Sequence, residues 1–261
     1  MGKPLIIANW KCNPTTSKEA EHLFVAVKKE VRNIKNVEVV ICPPFVWLGQ
    51  IFEELSSSKK GLAPQSVAGN LRLGAQDCFW EERGAYTGEI SPLMLKNLGC
   101  QYVIIGHSER RKYFQEADEI INKKVKAALK TRLRPVLCIG EEVEDEIGLV
   151  VGEQIENGLA GIAAARVREV AIAYEPVWAI GTGLPCSPDG AMKAALFVRK
   201  TLTKLYDRSI AEKVKILYGG SVTSQNAIDY IKGAMMDGLL IGQASLNATE
   251  FVKIVNKINE L

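Results

Sequence analysis

Eight short apolar runs recur along the chain, at residues 5–8, 37–42, 73–76, 102–106, 135–139, 170–174, 215–218 and 238–241. Most are nearly continuous in apolar side chains rather than alternating, the pattern of strands covered on both faces. Amphipathic stretches separate them. Thr16 and Glu19 form a capping box, after which Ala20, Leu23, Phe24, Val27, Val31 and Ile34 mark one helical face. Ser91-Pro92 and Ser187-Pro188 each open a helix. Gly99 closes the first, and Ala191, Ala195, Leu196 and Val198 give the second its apolar face. Thr223 or Ser224 starts another that ends at Gly233, and residues 247–261 supply the last. Eight strand–helix units of similar length, with no change of composition between halves, predict one closed (β/α)8 barrel, a single domain over residues 1–261. A doubly wound open sheet is the rival, but no G-x-G-x-x-G follows the first strand. Residues 56–72 break the periodicity with a Ser/Lys-rich stretch and predict a polar excursion on the barrel's N-terminal face.

Composition narrows the function. The 261 residues are 47% hydrophobic, enough for a large core. A formal net charge of +3 argues against a nucleic-acid or membrane-surface partner. No apolar run reaches membrane length, and the N-terminal run is too short for a signal peptide, so a cytoplasmic location is expected. The six cysteines lack C-x-x-C spacing and read as reduced thiols rather than disulfides or a zinc site. With no metal cluster and no nucleotide motif, neither metal nor cofactor is expected.

In a barrel of this kind, functional groups follow the strands. After the first come Asn9-Trp10-Lys11, with Lys11 a candidate fixed cation. After the fourth come Gly106-His107-Ser108-Glu109. His107 precedes a helix, and a helix N-terminus disfavours imidazolium, so a neutral ring able to donate to a carbonyl oxygen is expected there. After the sixth stands Glu175, before Pro176 and a Gly181-Thr182-Gly183 tip, which reads as a base beneath a lid whose burial raises its pKa. After the seventh and eighth lie Gly219-Gly220-Ser221 and Gly242-Gln243, small-residue turns suited to cradling a phosphate. One cation, one imidazole, one carboxylate and a phosphate cradle suit proton abstraction beside a carbonyl on a small phosphorylated substrate.

The segments Asn9-Trp10-Lys11, Gly106-His107-Ser108-Glu109-Arg110-Arg111, Cys138-Ile139-Gly140-Glu141, Tyr174-Glu175-Pro176-Val177-Trp178-Ala179-Ile180-Gly181-Thr182-Gly183 and Tyr218-Gly219-Gly220-Ser221-Val222 closely resemble the triosephosphate isomerase family, in order and from the first strand to the last helix. That family is also a standard worked case of a tuned Glu with a neutral His. The resemblance implies a (β/α)8 TIM barrel that interconverts dihydroxyacetone phosphate and glyceraldehyde 3-phosphate without a cofactor, in glycolysis and gluconeogenesis. It implies Glu175 as base, His107 as electrophile, Lys11 as electrostatic clamp and Glu109 as support. It implies Asn9, Lys11, Gly181, Ser221, Gly242 and Gln243 as substrate contacts and Tyr218 as support for the closed lid. Residues 76–89 resemble the family's dimer loop, with Thr87 reaching into the neighbour's site of a homodimer, and Arg199 and Asp237 resemble an ion pair beneath the phosphate loops. Three departures stand out. Leu184-Pro185-Cys186 replaces a common Lys-Thr-Ala at the lid's second hinge, so altered closure is expected. Gln243 replaces a common glycine, and the 56–72 excursion is longer than usual. Two other readings compete with an active isomerase, a non-catalytic homologue and a phosphate-binding barrel with different chemistry.

Overall fold

All eight apolar runs form strands: β1 (Leu5–Asn9), β2 (Glu38–Cys42), β3 (Leu71–Ala75), β4 (Tyr102–Ile105), β5 (Arg134–Ile139), β6 (Ala171–Tyr174), β7 (Lys215–Tyr218) and β8 (Gly238–Ile241). They pair in parallel in chain order, and β1 closes on β8 with Leu5 opposite Gly238. The rival open sheet is thereby excluded. The computed structural model describes residues 2–56, 69–143, 147–180 and 185–261. Most of the expected polar excursion, residues 57–68, lies outside the described residues, as do Gly181 and Leu184.

Strand alternation divides the core in two. Ile7, Val40, Ile104, Val136, Cys138 and Leu217 belong to a cluster that fills the barrel. Their sequence neighbours Ile6, Val39, Ile41, Val103, Leu137 and Ile216 join the larger cluster beneath the helices. Those helices are α1 (Ser17–Val31), α2 (Phe45–Ser56), α3 (Pro92–Asn97), α4 (Ser108–Phe114), α5 (Asp118–Lys130), α6 (Gly152–Gly158), α7 (Ala164–Val167), α8 (Pro188–Leu205), α9 (Arg208–Ala211) and α10 (Ala248–Asn259). The caps act as their chemistry requires. The Thr16 hydroxyl oxygen accepts the Glu19 N–H at 3.3 Å, and that of Ser187 accepts the Gly190 N–H at 3.1 Å.

Two expectations need correction. Leu196 is 56% exposed, because the buried face of α8 runs through Ala191, Ala194, Ala195, Val198 and Leu202, and residue 196 lies a helical step of about 100° off that stripe. The segment from Thr223 to Gly233 is not one regular helix: its last part, Asp229–Gly233, winds as a wide π turn.

Two ionic constellations brace the frame. Lys124, on α5, is buried, with its Nζ 2.7 Å from Asp77 Oδ2 and 2.5 Å from Glu116 Oε1, while Arg110 Nε lies 2.6 Å from the same Glu116 oxygen. Burial pushes the Asp77 carboxyl up to about 6, against the pull of Lys124. The cluster ties the connection after β3 to α4 and α5. Arg199 donates to Asp237 at 2.5 Å, and Asp237 also accepts the Ile216 N–H. Asp237 immediately precedes β8, so this pair braces the N-terminal end of the barrel, away from the loops that follow β7 and β8.

Candidate active site

The C-terminal ends of five strands deliver the polar groups of one cavity of about 740 Å³, lined by Asn9, Lys11, His107, Glu175, Ile180, Pro185, Gly219, Gly220, Ser221, Gly242 and Gln243, among others. Asn9 ends β1, and its Oδ1 accepts the Lys11 N–H at 3.0 Å. Lys11 has φ +52°, in the left-handed region. A non-glycine residue held there costs on the order of 1–3 kcal/mol. Gln76 helps hold it, donating from Nε2 to the Lys11 carbonyl at 2.8 Å and to the Cys42 carbonyl at 2.9 Å. The strained turn brings Lys11 Nζ to 2.7 Å from Glu109 Oε1. Gly242 gives the lysine stem room: a Cβ there would lie 3.0 Å from Lys11 Cε.

His107 follows β4 and caps α4. Its Nδ1 accepts the Glu109 N–H at 3.2 Å, which puts the proton of the neutral ring on Nε2. That Nε2 lies 3.0 Å from Glu175 Oε1, and the other carboxylate oxygen accepts the Ser108 N–H at 2.9 Å. Glu175 is only 2% exposed. Its backbone stays in place because Gly140 leaves room: a Cβ on Gly140 would overlap the Glu175 carbonyl.

The electrostatics differ from the expectation of a raised Glu175. Burial does push this carboxyl up, but His107, through the charge it carries when protonated and through its hydrogen bond, outweighs it together with the Ser108 N–H and Lys11, and the group is held below the ordinary glutamate value. Burial likewise pushes His107 down, and the facing Glu175 carboxylate more than offsets this, raising the imidazole's affinity for a second proton. That proton has only Nδ1 to occupy, where it would displace the Glu109 N–H. The sign for stability follows. The contribution of Glu175 is present above the ordinary glutamate value and is lost as pH falls through the depressed one. A carbon-13 titration of the Glu175 carboxyl in the unliganded protein, assigned by its loss in Glu175→Gln, is expected to inflect below the ordinary glutamate value. An inflection near neutrality would contradict this geometry.

The small-residue turns meet the same cavity. Gly219 spends its N–H on the Tyr174 carbonyl at 2.7 Å, whereas those of Ser221 and Gln243 have no backbone partner among the described residues. Gln243 is not among the residues with positive φ, so its backbone does not demand glycine. No group of three or more metal-ligating side chains occurs among the described residues.

A sequence model described as triosephosphate isomerase matches residues 4–258. The triosephosphate isomerase of Endomicrobium trichonymphae is 46% identical over 259 residues, covering 98% of each chain. Those of Alkaliphilus oremlandii and Carboxydothermus hydrogenoformans are 45% and 44% identical, again covering 98% of this chain, and 100% and 98% of their own. The chain belongs to the triosephosphate isomerase family.

Of the residues singled out from resemblance to the triosephosphate isomerases, Asn9, Lys11, His107, Glu175, Ser221, Gly242 and Gln243 line the one cavity, and Glu109 joins it through Lys11. Gly181 lies outside the described residues. Tyr218 does not line the cavity; it is fully buried below it. Thr87 is exposed and is not brought to the cavity of its own chain. Gln76, Ser108 and Glu141 were not singled out. Glu141, wholly buried, accepts from the Tyr174 hydroxyl at 2.7 Å and from Trp178 Nε1 at 2.9 Å, fixing the chain on both sides of Glu175. Gln76 and Glu141 follow strand ends, so the strand-end rule could have found both.

Proposed function

We propose that this chain interconverts dihydroxyacetone phosphate and glyceraldehyde 3-phosphate, a step shared by glycolysis and gluconeogenesis, with Glu175 moving the proton. The substrate phosphate rests against the N–H groups of Ser221, Gly242 and Gln243, with Gly181 completing the cradle. The two substrate oxygens face His107 Nε2–H and Lys11 Nζ, beside Asn9, and Glu109 steadies the lysine. Glu175 takes a proton from one carbon. The C–H electron pair becomes the enediolate double bond and the carbonyl oxygen takes the charge; His107 Nε2 gives that oxygen a proton and takes one from the neighbouring hydroxyl, and as the new carbonyl forms on the first carbon Glu175 returns a proton to the second.

The observation that carries this reading is the 3.0 Å contact between His107 Nε2 and Glu175 Oε1 inside the cavity that also holds Lys11 and the unspent N–H groups. Nε2 cannot donate to Glu175 and to a substrate oxygen at once, so substrate entry separates the pair. Released from His107 and Ser108, the buried carboxylate loses the groups that lower its pKa and becomes the stronger base the reaction needs. Tyr218 is assigned to support of the closed lid, a role supported by a buried hydroxyl with no hydrogen-bond partner of acceptable geometry among the described residues.

The assembly proposed is a homodimer, with Thr87 entering the partner's site. Its support is a run of exposed apolar side chains on consecutive connections: Val46 after β2, Tyr86 after β3, and Tyr113 and Phe114 after β4, the last two 68% and 66% exposed. A cytoplasmic setting is supported by Cys42, Cys78, Cys100 and Cys138, which are buried as free thiols. A coupled assay on glyceraldehyde 3-phosphate, run alongside sedimentation, is expected to show turnover by a two-subunit species. No turnover would overturn the proposed reaction, and an active monomer would overturn the assembly.

A further inference from the structure

The wide turn Asp229–Gly233 places Tyr230 against the floor of the site, on an element whose sequence gives no sign of an active-site role. Tyr230 is 1% exposed, and its ring stacks on Tyr218 at 3.8 Å between centroids with 13° between planes. Its hydroxyl donates to the Cys186 carbonyl at 2.7 Å. Both neighbours lead directly to the cavity. Tyr218 immediately precedes Gly219-Gly220-Ser221, and Cys186 immediately follows Pro185, all of which line it. The Tyr218 hydroxyl lies beside the Tyr230 hydroxyl and beside the backbone of Cys186, and burial keeps it protonated. With the carbonyl held by Tyr230, the Tyr218 hydroxyl is left without a well-formed bond among the described residues.

We propose that Tyr230 is a positioning residue for the isomerase reaction: by occupying the Cys186 carbonyl it keeps the Tyr218 hydroxyl available to the site, and by stacking it fixes the foot of the phosphate cradle. The inference rests on the reading of Tyr218 given above. A buried hydroxyl takes any acceptor within reach, because a buried polar group left unpaired is costly. Removing the Tyr230 hydroxyl therefore lets Tyr218 donate to Cys186 instead. The stack remains in Tyr230→Phe and is lost in Tyr230→Leu.

The test is a double-mutant cycle on the full-length protein with Tyr218→Phe, Tyr230→Phe and both together. It reads kcat, KM, thermal stability and affinity for phosphoglycolate, a mimic of the enediolate. Tyr230→Phe is expected to keep the fold and lower kcat/KM and phosphoglycolate affinity by about tenfold, the size of one net hydrogen bond. Inorganic phosphate affinity should be nearly unchanged. The double variant should equal Tyr218→Phe alone, and Tyr230→Leu should also weaken phosphate binding. Wild-type behaviour of Tyr230→Phe beside a damaged Tyr218→Phe would overturn this inference alone. A silent Tyr218→Phe would overturn the underlying reading of Tyr218 and this inference with it. Additive losses would show that Tyr230 does not act through Tyr218 and would likewise overturn it.

Discussion

Glu175→Gln is expected to lower kcat by about 10²–10⁴-fold, the range for loss of a general base. The amide is nearly the same size as the carboxylate but cannot take a proton from carbon. The carboxylate in the unliganded site accepts from both Ser108 N–H and His107 Nε2. Glutamine has one oxygen to offer, so one of these bonds is lost, at a cost of about 1–3 kcal/mol. That cost is small against the closed barrel, and thermal unfolding should register only a modest drop. The substrate's contacts with Lys11 and the N–H cradle are untouched, so KM should move far less than kcat. A kcat within tenfold of the wild type would remove Glu175 from its role.

The second large effect is at His107. His107→Ala removes the donor aimed at the developing oxyanion, and loss of one such donor costs about 10²–10³ in kcat. A second consequence separates this role from simple packing. His107 is the chief group that offsets burial and holds Glu175 low. Without it burial dominates, the Glu175 carboxyl titrates nearer neutrality, and the variant's carbon-13 inflection should move upward relative to the wild type. His107→Gln restores a donor without an ionisable ring and should recover part of kcat. A variant with normal turnover and an unmoved Glu175 titration would show that the 3.0 Å contact is incidental.

The barrel was legible because its strands announce themselves. Runs such as Val136-Leu137-Cys138-Ile139 are buried on both faces, which leaves no alternation to confuse with a solvent-facing sheet. The strand ends were legible for the same reason: once β4 and β6 are placed, His107 and Glu175 fall at the same mouth. Their relation was not legible. The carboxylate's depressed pKa depends on a side-chain contact between residues on different strands, and burial alone argued for the opposite shift. Tyr230 was invisible because a buried tyrosine in an apolar segment reads as packing until its hydroxyl is seen on Cys186. Lys124 sits on a helix where a lysine normally marks the solvent face, and only the approach of Asp77 and Glu116 explains its burial. Leu196 failed in the other direction, since an apolar residue one step off a stripe is still exposed.

The central claim is that a protein carboxylate carries the proton between two substrate carbons. The direct measurement is conversion of dihydroxyacetone phosphate in deuterium oxide, with the product trapped and its carbon-bound label read by NMR. The carboxyl exchanges its proton with solvent while the enediolate waits. The wild type should therefore give glyceraldehyde 3-phosphate carrying deuterium on carbon, and Glu175→Gln should incorporate it more slowly by the same factor as its loss of turnover. Conversion and labelling by Glu175→Gln at the wild-type rate would contradict the account.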